Sequence, residues 1–165
     1  MQFYALVYFL NIHSTEIDIF RKKHDPKWNV IPPHITLVFP FSDFSEYQIL
    51  EHVKKVTQDI MPFPIHLHGL QKIEDELIFL LVKEGNEEIM HVHVQLYSGI
   101  FQTLEQEFVF EPHITIGELP SADIDSALEE AEALDLDIHA TFDFLSLVKG
   151  DGISPANIVG IVELG

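Results

Sequence analysis

The sequence contains no cysteine, which excludes disulfide bonds, zinc fingers, thiol nucleophiles and iron–sulfur clusters. It also lacks a long apolar run, because the longest hydrophobic stretches are short and are broken by polar or charged residues or by proline, so no membrane-spanning helix is expected. The first residues show neither the basic region nor the cleavage site of a secretory leader. With 165 residues, 47% of them hydrophobic and 22% charged, the chain is predicted to form one globular, cytoplasmic domain.

Positive charge is scarce. Nine Lys and Arg residues stand against 27 Asp and Glu residues, which gives a formal net charge of −18. Residues 83–165 hold most of this imbalance, with two basic and 17 acidic side chains and a balance of −15. Such a field repels polyanions, so we expect no binding of long nucleic acids, which require many phosphate contacts. A small anionic ligand requires only a local cluster of basic residues.

Sequence motifs for cofactors and metals are absent. No glycine-rich nucleotide loop and no H-E-x-x-H occurs, so no cofactor is predicted. His66 and His68 share one face of a predicted strand, whereas His91 and His93 lie on a predicted helix, where positions i and i+2 diverge. Neither pair has a third ligand at a motif spacing, so no metal site is predicted.

Hydrophobic periodicity predicts alternating strands and helices. The predicted strands are 1–9, 34–39, 64–70, 77–82, 113–117, 138–148 and 157–164. The predicted helices are 14–24 with Ser14 or Thr15 as cap, one opened by the capping box Ser45–Gln48, one capped by Asn86 and reaching Phe101, and one capped by Ser121.

One five-residue segment occurs twice. Pro33-His34-Ile35-Thr36-Leu37 recurs 79 residues later as Pro112-His113-Ile114-Thr115-Ile116, an offset close to half of the chain. A predicted helix follows each copy, as expected for a duplicated strand–helix–strand–helix–strand unit. We therefore expect a single domain, 1–165, with two lobes of approximately 1–75 and 76–165 around a pseudo-two-fold axis, and whether the lobes exchange strands stays open.

The repeated segments carry the candidate chemistry. Alternation along a strand places His34 with Thr36, and His113 with Thr115, on one face, while the intervening apolar residues enter the core. A two-fold axis would bring both pairs together across a cleft. A neutral imidazole can take a proton from the attacking water or hydroxyl, and a protonated one can give a proton to the leaving oxygen. The threonine hydroxyls can donate to phosphate oxygens, so the four residues indicate phosphodiester chemistry, with the acid and base roles unassigned.

The two motifs resemble the paired H-x-T/S-hydrophobic signature of the two-histidine (2H) phosphoesterases, which include the 2′-5′ RNA ligase-like proteins and small bacterial phosphoesterases. This resemblance implies an α+β, bilobal fold, in which duplicated β-α-β-α-β units form antiparallel sheets around a central cleft. It also implies metal-independent cleavage or ligation of a cyclic (2′,3′-type) or 2′-5′ phosphodiester in a small nucleotide or RNA end. By motif match, His34, Thr36, His113 and Thr115 take the catalytic and phosphate-binding positions.

A basic and aromatic segment precedes the first motif. It includes Arg21, Lys23, Lys27 and Trp28, which either bind a phosphate and stack a base or form a solvated helix end. Phe39 shares the face of His34 if the strand stays regular, so it either walls the cleft or packs in the core. These five residues are the predicted substrate contacts.

Three alternatives to hydrolysis stay open. The first is a non-catalytic nucleotide or RNA-end binding module with the same cleft, the second is an RNA 2′-5′ ligase, and the third is an interaction domain whose acidic half docks a basic partner. Gly117-Glu118 stands where many ligase-like proteins have a basic residue, and segment 156–159 lacks the aromatic residue that many carry there. These departures weaken ligation and base stacking more than cleavage.

Overall fold

The computed structural model describes residues 1–106 and 108–165. In chain order the elements are β1 (Phe3–Phe9), α1 (Thr15–His24), β2 (His34–Phe41), α2 (Glu46–Thr57), β3 (Phe63–Ile73), β4 (Leu77–Glu84), α3 (Asn86–Leu96), a short 3₁₀ helix (Gly99–Thr103), β5 (His113–Glu118), α4 (Ser121–Ala133), β6 (Asp137–Phe142), β7 (Phe144–Gly150) and β8 (Asn157–Glu163).

The strands form two four-stranded antiparallel sheets. The first has the order β2-β1-β7-β8, and the second has the order β5-β4-β3-β6. The segments β1-α1-β2-α2-β3 and β4-α3-β5-α4-β6 repeat the same order of elements, and each motif strand, β2 or β5, lies at the edge of its sheet. The expected α+β, bilobal fold with duplicated units is therefore confirmed.

The sheets do not divide the chain near residue 75. A turn through Glu74 and Asp75, both at positive φ, joins β3 to β4 in one hairpin, so β3 belongs to the second sheet. The last two strands return to the first sheet, where β7 pairs with β1. The segment 138–148, predicted as one strand, is split at Asp143 between β6 and β7 because the chain crosses there from the second sheet to the first.

Two predicted helix starts are confirmed. The Ser14 side chain accepts a hydrogen bond from the backbone N–H of Ile17 and caps α1. At the start of α2, Ser45 and Gln48 form both hydrogen bonds of a capping box. Each serine satisfies an amide that has no partner inside the helix, which is why both starts could be identified from local sequence.

Two other predicted caps are wrong. Gly85 is the N-cap of α3, because its left-handed backbone turns the chain, and Asn86 is the first helical residue. Pro120 is the N-cap of α4, so Ser121 also lies inside its helix. The third helix ends at Leu96, and the following residues form the separate 3₁₀ helix rather than a continuation.

The core explains how the motif side chains are presented. Ile35 and Leu37 in β2, like Ile114 and Ile116 in β5, are 0% exposed. They anchor both motif strands by the burial of apolar surface, so the alternating positions between them point away from the core. Within the described part of the chain, no helix is both long and apolar enough to span a membrane.

Candidate active site

The two His-x-Thr motifs lie on neighbouring strands from different lobes. The motif strands β2 and β5 contact each other. His34, Thr36, His113 and Thr115 are all half-buried, in agreement with the predicted alternation. Burial is the main cause of the lowered pKa of His34, and the positive charge of a protonated His113 adds to that lowering. The fold thus brings together two segments that are far apart in the sequence.

Each histidine ring is oriented in the same way. The Nδ1 atom of His34 lies 2.8 Å from the carbonyl oxygen of Pro32, and the Nδ1 atom of His113 bonds to the carbonyl oxygen of Glu111. A carbonyl oxygen can only accept, so each Nδ1 carries the hydrogen and donates it. The neutral rings therefore have an unprotonated Nε2, which is the atom able to exchange a proton with a ligand.

The alternation of polar and apolar residues does not predict how the two histidine rings are oriented. The residue before each histidine is a sequence signal that does. In each copy a proline, Pro33 or Pro112, directly precedes the histidine. A proline restricts the residue before it to extended backbone conformations, and here that residue supplies the carbonyl acceptor. The repeated proline is thus part of the device that orients both rings.

Aromatic rings from the adjacent strands support the histidines. The Phe79 ring stacks on His113, with centroids 3.5 Å apart and planes at 10°. The Phe9 ring meets His34 edge-on at 6.2 Å and 65°. Neither phenylalanine was predicted as a site residue, because the pairing of β1 with β2 and of β4 with β5 decides which residues flank the motifs.

Burial shifts the proton affinity of both imidazoles. It lowers the pKa of His34 from 6.5 to about 4, with further lowering by Arg21 and His113 and an opposing effect of the hydrogen bond to Pro32. Burial also lowers the pKa of His113, although its hydrogen bond to the Glu111 carbonyl and the Glu111 charge oppose the shift. Both rings are therefore neutral at pH 7 in the free protein.

Arg21, a predicted substrate contact, has a largely buried side chain that binds other groups of the protein, and it also lines the cavity beside Trp28. Its side chain is only 4% exposed, and its Nε donates to the Asp25 carboxylate at 2.8 Å. A guanidinium NH₂ group also donates to the Ile31 carbonyl oxygen at 2.9 Å. A buried guanidinium needs such partners, and here they tie the end of α1 to the loop that enters β2. Arg21 thus positions the approach to His34 and acts on it by charge.

Lys23 and Lys27 are both paired with acidic residues of the second half. The Lys23 Nζ atom lies 2.8 Å from Glu130, and the Lys27 Nζ atom lies 3.2 Å from Glu118. Both lysines are exposed, so these pairs hold their side chains only weakly. The acidic partners therefore partly neutralise the basic segment that is predicted to bind phosphate. The two ion pairs also link α1 and the loop after it to α4 and the end of β5.

Trp28 has a more open setting. It is 43% exposed, and the Lys22 Nζ atom lies 5.3 Å from the centroid of its ring. With the rest of segment 28–33, it lines a cavity of about 580 Å³, and the lining includes Pro33, the residue before His34. This indole remains a candidate surface for stacking a base.

Phe39 lies beyond an irregularity in its strand. Leu37 and Val38 are both fully buried, and the register between β1 and β2 shifts at this point, so regular alternation stops. The Phe39 ring lies 6.2 Å from the ring of Phe108, and with Tyr97 it lines a second cavity of about 450 Å³. Phe39 thus packs at a different cavity from Trp28.

The fold has close counterparts among solved structures. It matches that of Escherichia coli LigT complexed with 3′-AMP, with a TM-score of 0.66 and 17% identity over 99% of this chain and 98% of that one. It also matches a structure described as a phosphoesterase, with a TM-score of 0.67 and 16% identity over the same shares of the two chains. At these identities the similarity concerns the fold.

Sequence comparison identifies the family. The model of the 2′-5′ RNA ligase superfamily matches residues 11–153. A protein of Geobacillus kaustophilus named "Putative phosphoesterase" is 33% identical over 134 residues, which cover 78% of this chain and 76% of that protein. A Bacillus licheniformis protein of the same description is 30% identical over 125 residues, 73% of each. The chain therefore belongs to the 2′-5′ RNA ligase superfamily of two-histidine phosphoesterases.

Proposed function

We propose that the protein is a metal-independent phosphoesterase that cleaves a cyclic 2′,3′-type or a 2′-5′ phosphodiester in a small nucleotide or RNA end. His34 and His113 are the general acid–base pair, and Thr36 and Thr115 bind the phosphate. One observation carries the proposal: two imidazoles on adjoining strands have Nδ1 held by a backbone carbonyl, which leaves Nε2 of each for the substrate.

The charges around the two rings suggest how the roles divide. Burial lowers the pKa of both rings; at His34 it lowers the pKa to about 4 and Arg21 lowers it further, whereas at His113 the hydrogen bond to Glu111 and the Glu111 carboxylate oppose the lowering. When the free protein takes up one proton, that proton therefore resides on His113. This makes neutral His34 the base and protonated His113 the acid.

The reaction then needs no other proton carrier. The Nε2 atom of His34 removes a proton from water as the water oxygen bonds to phosphorus. The bond between phosphorus and the leaving ribose oxygen breaks, and Nε2 of His113 gives its proton to that oxygen. Exchange with solvent afterwards removes the proton from His34 and returns one to His113, which regenerates the singly protonated active form, a minor form of the free protein at pH 7.

The threonines are suited to the charge that develops on phosphate. Each lies two residues after a histidine on the same strand face, which corresponds to about 7 Å along the strand. A phosphate between the two Nε2 atoms is thus flanked by a hydroxyl from each lobe. Hydroxyl donors aimed at the non-bridging oxygens stabilise the transition state more than the ground state.

The size of the substrate follows from charge and from the related structures. LigT has been crystallised with 3′-AMP, NADP+ and ATP, all small nucleotides. In this chain Lys23 and Lys27 face acidic partners and the net charge is −18, which disfavours a long polyanion.

The cytoplasm stays the predicted location, in keeping with the cysteine-free sequence.

The test is turnover of nucleoside 2′,3′-cyclic monophosphates, followed by separation of the 2′- and 3′-phosphate products. We expect wild-type protein and His91→Ala, which removes an exposed imidazole on α3, to have equal rates. His34→Ala and His113→Ala should be nearly inactive while keeping the wild-type circular dichroism spectrum. Binding of the cyclic nucleotide without turnover by wild-type protein would instead favour a binding module.

The acid and base roles can be separated with an aryl phosphodiester. Nitrophenolate leaves without a proton, so the loss caused by His113→Ala should be much smaller with this substrate than with the cyclic nucleotide. The loss caused by His34→Ala should be the same with both. The reverse pattern would exchange the two assignments.

A further inference from the structure

A second group of imidazoles lies on the strands β3 and β6, away from the motif strands. The pairing of these strands places His66 opposite His139 and His68 opposite Asp137. Residues that lie opposite each other share a face of the sheet, and Leu67, between the two β3 histidines, is fully buried on the other face. Three imidazoles and a carboxylate therefore project from one patch.

The side chains in this patch converge. The rings of His66 and His139 stack with centroids 4.1 Å apart and planes at 7°. The Asp137 carboxylate accepts a hydrogen bond from Nε2 of His66 and lies 3.4 Å from Nε2 of His139. One ligand atom from each of these three residues lies within 4.8 Å of the other two. Bonds of about 2.0–2.2 Å from nitrogen and oxygen to one central ion fit such a group after small side-chain rotations.

A fourth imidazole stands beside this group. The ring of His68 is nearly parallel to that of His66, with centroids 5.9 Å apart. Its Nδ1 donates to the carbonyl oxygen of Leu136, so Nε2 is the unprotonated nitrogen of the neutral ring. A backbone carbonyl that fixes the tautomer of a histidine in this way is typical of metal-binding imidazoles.

We propose that His66, Asp137 and His139 bind one divalent transition-metal ion of the zinc type. Imidazole nitrogen with a single carboxylate is a ligand set for Zn²⁺ and similar ions, whereas Mg²⁺ and Ca²⁺ require mostly oxygen ligands. Three protein ligands leave a fourth tetrahedral position for water, with His68 beside the group. The net charge of −18 further favours a bound cation.

This site is separate from the two-histidine centre. In the second sheet, β4 lies between β3 and the motif strand β5, and β6 lies one strand further away. With strands about 4.8 Å apart, the ion lies at least about 10 Å from the motif strand, too far to coordinate a phosphate held by His34 and His113. Local spacing predicted no metal site, because the ligands that complete the group come from a strand 71 residues away from His66.

The experiment is a calorimetric titration of untagged protein with Zn²⁺. We expect one ion to bind per wild-type chain and to be displaced by EDTA but not by Mg²⁺. Asp137→Asn and His139→Ala each remove one ligand from an exposed position, so both should fold normally and bind Zn²⁺ at least about tenfold more weakly. His91→Ala removes an exposed histidine of α3 and should bind like wild type.

Cobalt provides an independent measurement. Bound Co²⁺ should show the visible absorption of a tetrahedral complex, and His139→Ala should lose it. An unchanged Zn²⁺ affinity in both ligand variants, or the absence of stoichiometric binding to wild type, would overturn the proposal. Hydrolysis of the cyclic nucleotide should persist in both ligand variants, so failure of the metal site and failure of the phosphoesterase are distinguishable.

Discussion

The perturbed pKa of His34 makes the pH dependence of hydrolysis the most informative property of the site. A pKa of about 4 leaves about one His34 side chain in a thousand protonated at pH 7. With the proposed roles, a neutral His34 as base and a protonated His113 as acid, the free protein should give a bell-shaped profile of kcat/KM. Its acidic limb lies near pH 4, and its alkaline limb lies below pH 6.5, because the pKa of His113 is lowered too.

The slope and the effect of substrate can be derived from the same shifts. Above the alkaline limb, kcat/KM should fall about tenfold per pH unit, because only the protonated fraction of His113 is active. A bound anionic phosphate favours the imidazolium form, so the alkaline limb of kcat should lie at higher pH than that of kcat/KM. Both limbs are properties of the coupled pair rather than of one ring.

The assay is the initial rate on a nucleoside 2′,3′-cyclic monophosphate across the acidic and neutral range, with circular dichroism at each pH to verify folding. Phe79→Leu is an informative variant, because it removes the ring stacked on His113 and admits water. Its alkaline limb should move toward pH 6.5. An optimum of kcat/KM above pH 6.5 in wild type would refute this account of the burial of the two histidines.

Three further predictions concern the site and its support. His34→Ala and His113→Ala should each lower kcat by about 10²–10⁴-fold, and equal rates for wild type and either variant would contradict the assignment. Arg21→Met should lower the free energy of unfolding in urea by about 3–5 kcal/mol, because it leaves the buried Asp25 carboxylate without its charged partner. A loss below about 1 kcal/mol, which is typical of an exposed ion pair, would contradict the burial of this pair. Efficiency on RNAs with one cyclic-phosphate end should not rise with length at low or high salt, and a steady rise with a steep salt dependence would reveal a polynucleotide surface.

The motif strands could be predicted because their signals are local. Alternation of polar and apolar residues placed His34 and Thr36 outside the core and Ile35 inside it, and the structure agrees. Because the same five-residue pattern recurs at residues 112–116, the same alternation could be predicted for His113 and Thr115. The caps Ser14 and Ser45 were correct for the same reason, since a helix start depends on a few adjacent residues.

The remaining features depend on tertiary pairing. Arg21 is predicted as a ligand contact because it lies in a basic segment, and that role stays a prediction. Its hydrogen bond to the Ile31 carbonyl could not be foreseen, because the local sequence does not specify the path of that loop. The exchange of β3 and β7 between lobes follows from strand pairing. The contact between His66 and His139 also follows from strand pairing. Alternation shows which side chains share a face of a strand, but it does not show which strand lies beside it.

The most direct test of the two-histidine centre is a crystal structure with a bound nucleoside 2′-monophosphate, a product of the proposed reaction. The phosphate should lie between Nε2 of His34 and Nε2 of His113, with the hydroxyls of Thr36 and Thr115 on its non-bridging oxygens. Both Nδ1 atoms should keep their backbone carbonyl partners. A phosphate bound away from both imidazoles, for example only in the cavity beside Trp28, would contradict the account.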